Sequence, residues 1–134
     1  MSRESLHTSN APGGRTYSQA VIVGDLVFVA GTVGLDTATG TWPVGIRAQM
    51  QQALDNLSAV LAEAGCTLAD VVKTTTFITP EADGAGEEAY AAEDVYMQAF
   101  AQDPKPARSS PVVALPVPEA LVSIEAIAVR RDRL

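Results

Sequence analysis

Between residues 45 and 64, the side chains Ile46, Met50, Ala53, Leu54, Leu57, Leu61 and Ala64 recur at three- and four-residue steps, while Arg47, Gln51, Asp55 and Glu63 fall on the other faces. This is the period of an amphipathic α-helix. Gly65 follows where a left-handed C-terminal residue is wanted, because a residue without Cβ takes positive φ at no steric cost. Each large side chain of the stripe gains ~1.5–3 kcal/mol on burial, before the loss of chain entropy is counted. The stripe therefore needs a sheet or a second helix to cover it, and the rest of the chain must supply that cover.

The flanking segments read mainly as strands. Residues 17–23 and 26–31 are β-prone runs around Gly24-Asp25, a pair suited to a tight hairpin turn. Residues 32–35 are extended, residues 36–40 have turn chemistry, and Trp42-Pro43 closes that segment. VVKTTTFIT, residues 71–79, is rich in β-branched side chains and reads as a strand. Residues 80–86 read as a loop and residues 87–102 as a second helix carrying Tyr90, Tyr96 and Phe100. Residues 108–115 and 121–129 complete the set as strands, with Pro104, Pro106, Pro116 and Pro118 at their ends and connections.

This order predicts the α+β class: a mixed sheet with both helices on one face. In the last strand Val122, Ile124, Ala126 and Ala128 alternate with Ser123, Glu125 and Ile127, so apolar groups point to both sides of a sheet that has helices for only one. Subunit association is the expected remedy.

The chain has 134 residues, enough for one domain, residues 1–134, that removes roughly 68% of its unfolded surface from water. Its hydrophobic and charged fractions, 47% and 19%, are those of globular proteins and not of disordered chains. Residues 1–10 are polar and read as a mobile tail with no secretory leader. No stretch approaches the ~20 apolar residues of a membrane span. A single cysteine, Cys66, excludes an internal disulfide and fits a reducing compartment, so the cytoplasm is expected. A net charge of −7 opposes nucleic acid and anionic lipid as partners. The basic cluster Arg130, Arg131 and Arg133 reads as a solvated terminus. Asn56-Leu57-Ser58 matches a glycosylation sequon but falls in the helix, which makes the match a coincidence.

Several chemistries are disfavoured. His7 is the only histidine and lies in the polar N-terminal segment, which argues against a Ser/His/Asp triad and against zinc; no metal is expected. Cys66 reads as a small buried residue, and the glycines of VGDLVFVAGTVG match neither phosphate-binding pattern. The informative stretch is Pro104-Lys105-Pro106-Ala107-Arg108-Ser109-Ser110. Its prolines hold an extended approach to a guanidinium at the mouth of an apolar strand. Arginine meets a carboxylate with a planar fork that lysine cannot copy. Such charged hydrogen bonds are worth ~1.5–3 kcal/mol each. The alternative is a sheet-edge arginine paired with Glu119, Glu125 or solvent.

TYSQAVIVGDLVFVAGTVGLDTATG, AQMQQALDNLSAVLAEAGCTLADVVKTTTFIT, PARSSPVVALP and VSIEAIAV resemble, in order and spacing, the successive signatures of the RidA/YjgF family of enamine/imine deaminases, also called the endoribonuclease L-PSP family. The resemblance covers about residues 8–131, apart from extra residues near 80–89. It implies a chorismate-mutase-like fold and homotrimers with a pocket at each subunit interface. It also implies that Arg108 binds the substrate carboxylate, and that Tyr17, Gly31 and Ser110 line the pocket. Three positions depart from the family pattern. Ser123 replaces a glutamate thought to orient the attacking water, Ala30 replaces a serine, and Glu93 stands where asparagine is common.

The expected activity is hydrolytic deamination of small 2-enamine or 2-imino acids to 2-oxo acids and ammonia, with no cofactor, since the imine is already electrophilic. Arg108 is the catalytic candidate; Tyr17, Gly31, Glu93, Ser110 and Ser123 are the substrate-binding candidates. Three alternatives stand beside it: a non-catalytic module that binds or senses a small carboxylate, a pathway-specific enzyme on the same scaffold, and a ribonuclease, which the acidic charge and single histidine disfavour.

Overall fold

The computed structural model describes residues 2–130. The strands are β1 (Arg3–Leu6), β2 (Ala20–Val23), β3 (Leu26–Val33), β4 (Val71–Ile78), β5 (Ala107–Ser109) and β6 (Val122–Val129). The helices are α1 (Ile46–Glu63), α2 (Pro80–Asp83) and α3 (Glu87–Ala99), with a single 3-10 turn at Leu68–Asp70. One mixed sheet runs in the order β1-β2-β3-β6-β4-β5, in which only β4 and β5 are parallel. The expected α+β architecture is therefore present.

Helix α1 buries Met50, Leu54, Leu57 and Leu61 against the sheet, and Ile124, Val122 and Val27 meet them from the strands. Gly65 takes φ 74 just beyond the helix, the left-handed conformation expected from its sequence position. Asn56 is buried at 2% exposure, and its Nδ2 donates to the carbonyls of Val33 and Leu35 at 2.8 Å each. The sequon asparagine thus serves as an internal tie between α1 and the end of β3. Helix α3 packs beside α1 on the same face.

The opposite face is open. Phe28, 42% exposed, pairs across strands with Ile127, and a shallow hollow of about 350 Å³ is lined there by Phe28, Lys73, Thr75, Glu125 and Ile127. The expectation of a sheet covered on one side only agrees with this arrangement.

Four local readings are corrected. Arg3–Leu6, expected within a mobile tail, forms edge strand β1 on β2; backbone hydrogen bonds define it, and its exposed side chains carry no alternating pattern. Residues 80–86, expected as a loop, contain α2, which Thr79 caps through its side chain and Pro80 opens at the first helical position. The second helix ends at Ala99, short of 102, because Pro104 disfavours helical backbone at the residue before it and the chain turns at Phe100. The strand expected over residues 108–115 is regular only at Ala107–Ser109. Beyond it Pro111, lacking an N–H, contributes only its carbonyl to Ile78, and Val112 forms an isolated bridge. Of the basic C-terminal cluster, Arg131 and Arg133 lie outside the described residues; Arg130 donates to the Gly24 carbonyl.

Candidate functional site

Arg108 lies on the edge strand β5, opposite Thr74 of β4. Thr74 and Thr76 are fully buried under the helices, and cross-strand partners share a face, so Arg108 also points into the helix layer. There its guanidinium carbon sits 3.8 Å from the centre of the Tyr96 ring on α3. A desolvated cation over an aromatic face is worth up to about 2 kcal/mol. The ring is itself held, since the hydroxyls of Tyr96 and Thr74 are 2.6 Å apart.

Two more contacts fix the fork. Nε donates to Thr76 Oγ1 at 3.2 Å, and Nη1 donates to the carboxylate of Glu93. Nη2 is buried with no hydrogen-bond partner among the described residues. The Arg108 side chain retains 18% of its exposure and that of Glu93 46%, so the pair lies at the mouth of a recess. Glu93 and Tyr96 stand three positions apart on α3, which places them on one helix face. The acid that meets Arg108 is therefore neither Glu119 nor Glu125.

Glu93 forms part of the wall of two cavities. The smaller, about 220 Å³, also has Tyr96, Met97, Phe100, Lys105 and Arg108. Lys105 is engaged outside it, bonding the exposed Asp103 at 2.8 Å; that hydrogen bond, then the lysine charge, holds the Asp103 carboxyl below the usual carboxylate range. The larger, about 430 Å³, is apolar along Ile46, Met50, Ile78 and Tyr90, and carries Asp83, Glu93 and Ser110 as polar groups. Ser110 Oγ lies 3.4 Å from the Thr76 carbonyl. A further hollow of about 690 Å³, bordered by Cys66, Leu68, Phe100 and Pro104, has no cationic residue among those lining it. Among the described residues no group of three or more His, Cys, Asp or Glu side chains could hold a metal ion.

The structure pairs Arg108 with Glu93 and sets Ser110 in the larger cavity that Glu93 also lines, and it holds the other candidates apart from Arg108 within one chain. Ser123 is buried opposite Phe77, three residues along β4 from Thr74, and so leaves the open face of the sheet, not the helix face. Gly31 is its neighbour: a Cβ there would stand 2.8 Å from Ser123 Oγ, a contact that any larger residue would have to relieve. Tyr17 precedes β2, half-exposed, with its ring folded onto Gly14. Strands β2 and β5 are four positions apart in the sheet, roughly 19 Å at ~4.8 Å per strand. Sequence reasoning missed Tyr96, Thr74 and Thr76 as the seat of the guanidinium. The signals were the two-residue spacing of the threonines and the three-residue spacing of Glu93 and Tyr96.

Comparison with known proteins shows the family and the fold. The family model described as Endoribonuclease L-PSP matches residues 8–130. A RutC family protein of Haemophilus influenzae is 38% identical over 98% of this chain and 100% of its own length. The 2-iminobutanoate/2-iminopropanoate deaminase of Escherichia coli is 34% identical over 96% of this chain and 98% of its own. The crystal structure of Escherichia coli TdcF with bound serine superposes with a TM-score of 0.82 at 36% identity, covering 95% of this chain and 98% of that one. The chain belongs to the Endoribonuclease L-PSP family, the RidA/YjgF family whose signatures its sequence carries.

Proposed function

We propose that the protein is a cytoplasmic imine deaminase that hydrolyses small 2-imino acids, or their 2-enamine tautomers, with the substrate carboxylate held by Arg108. The observation that carries this reading is the guanidinium itself. It is immobilised by Tyr96 and Thr76, and one donor, Nη2, is left buried without an acceptor. An unsatisfied buried donor costs about 1–3 kcal/mol, so an anionic oxygen that reaches it is bound with that much in its favour. The deaminase relatives supply the substrate class.

With the carboxylate gripped, the C=N carbon lies beside Glu93 and Ser110. Water adds to that carbon, the nitrogen takes up a proton, and the C–N bond breaks; ammonia leaves and a 2-oxo acid remains. No glutamate stands at Ser123, and Glu93 is the carboxylate nearest the clamp, so Glu93 is the group proposed to accept the proton of the attacking water.

Tyr17, Gly31 and Ser123 can join Arg108 in one pocket only if a neighbouring copy supplies them. The proposed working unit is therefore a homotrimer with sites between subunits, and the exposed Phe28 beside the partly buried Ile127 supports association. The test is ammonia release from 2-iminopropanoate generated in situ by an amino-acid oxidase. Wild type accelerates the release, and equal rates for wild type and Arg108→Ala would remove the clamp from the mechanism.

A second reading, a carboxylate-binding module without turnover, is favoured by one observation: Glu93 already occupies Nη1 of the clamp. Calorimetric binding of a small acid by a protein that hydrolyses no imine would select it.

A further inference from the structure

We infer that Glu93 makes the site selective for ligands that carry a positive charge on the nitrogen next to their carboxylate, and that it disfavours simple monoanions of the same size. The inference rests on Arg108 as the carboxylate clamp and adds a discrimination that the clamp alone does not provide.

Arginine has five N–H donors. On Arg108 one is given to Thr76 and one to Glu93, and Nη2 is without a partner among the described residues. An incoming carboxylate thus shares the guanidinium with a carboxylate already in place. Two anions on one cation repel each other, and beside Tyr96, Met97 and Phe100, which line the cavity with Arg108 and Glu93, that repulsion is screened less than in water. Asp83 adds a second acid to the larger cavity that Glu93 also lines. A ligand with only a carboxylate leaves the neutral Arg108–Glu93 pair with a net negative charge. A ligand with a carboxylate and an adjacent ammonium or iminium places its cation toward Glu93, the acid with 46% of its side chain still exposed. Charge then alternates from ligand carboxylate to Arg108, to Glu93, to ligand nitrogen. A protonated 2-imino acid has this pattern and its 2-oxo acid product does not, so the same acid that favours the substrate favours release of the product.

The experiment is calorimetric titration with L-alanine and pyruvate, which share the carboxylate and methyl group and differ in the ammonium. Wild type is expected to bind alanine at least about tenfold more tightly, the scale of one charge-assisted hydrogen bond. Glu93→Gln keeps an oxygen that can accept from Arg108 but loses the charge. It is expected to bring the two affinities within about threefold of each other, chiefly by tightening pyruvate. Arg108→Ala is expected to lose both ligands. An alanine-to-pyruvate ratio unchanged in Glu93→Gln overturns the inference while leaving the clamp intact. Undiminished binding of both ligands by Arg108→Ala overturns the clamp itself, and wild type silent toward both contradicts the two together. Should Glu93→Gln fail to fold, as judged by near-UV circular dichroism, Glu93→Asn at this half-exposed position decides the same ratio.

Discussion

The hydroxyls of Tyr96 and Thr74 meet at 2.6 Å in the seam between α3 and β4, and the ring so held is the surface on which the Arg108 guanidinium lies. Tyr96→Phe keeps that surface and leaves Thr74 buried without its partner. It is expected to cost about 1–3 kcal/mol in urea denaturation while ligand affinity stays near that of wild type. Tyr96→Leu removes the ring face as well and is expected to weaken carboxylate binding several-fold more than Tyr96→Phe does. Equal affinities for the two variants would show that the ring does not position the clamp.

The helix stripe sets the core. Leu54 is 1% exposed at the centre of α1, so Leu54→Ala is expected to cost about 2–5 kcal/mol, and Leu54→Asp, which buries an unpaired charge, to unfold the protein. Thermal unfolding by circular dichroism checks both. A cooperative melt of Leu54→Asp like that of wild type would contradict the packing of α1 against the sheet.

Asn56 satisfies two backbone carbonyls from within the helix layer. Asn56→Leu leaves both without this donor and is expected to lose about 2–3 kcal/mol of stability in chemical denaturation. A change below the error of that measurement would mean that Val33 and Leu35 find other donors.

The open face carries the proposed assembly. Phe28→Asp places a charge where Phe28 meets Ile127, and sedimentation velocity is expected to show trimers for wild type and monomers for the variant. Deaminase activity is expected to disappear with the assembly, because Tyr17 and Arg108 are separated by four strand positions within one chain's sheet. A wild-type monomer with full activity would contradict an interfacial site.

The features legible in the sequence are those with a period. Helix α1 and strand β6 repeat an apolar pattern over several turns or pleats, strand β4 showed through its β-branched residues, and Gly65 marked the helix end through its backbone preference. Strand β1 was hidden because an exposed edge strand is defined by backbone pairing, and of RESL only Leu6 packs partly against the core. Helix α2 was hidden by its brevity, although Thr79 and Pro80 announced its start. At the site, PAR directed attention to Arg108, and position 93 stood out as an acid where the family pattern has asparagine. What the chain order could not convey is the pairing of strands. Thr74 opposite Arg108, and Phe77 opposite Ser123, decide which side chains share a face, and they put Arg108 and Ser123 on different ones.

The central claim is that the fixed guanidinium grips the substrate carboxylate. The most direct measurement is the rate of ammonia release from 2-iminopropanoate formed in situ, with wild type, Arg108→Lys and Arg108→Ala compared at equal concentration. Wild type is expected to accelerate the release. Arg108→Lys, with a point charge in place of a fork, is expected to lose most of the activity, and Arg108→Ala all of it. Rates for Arg108→Ala equal to those of wild type, in a variant that folds and assembles normally, would contradict the account.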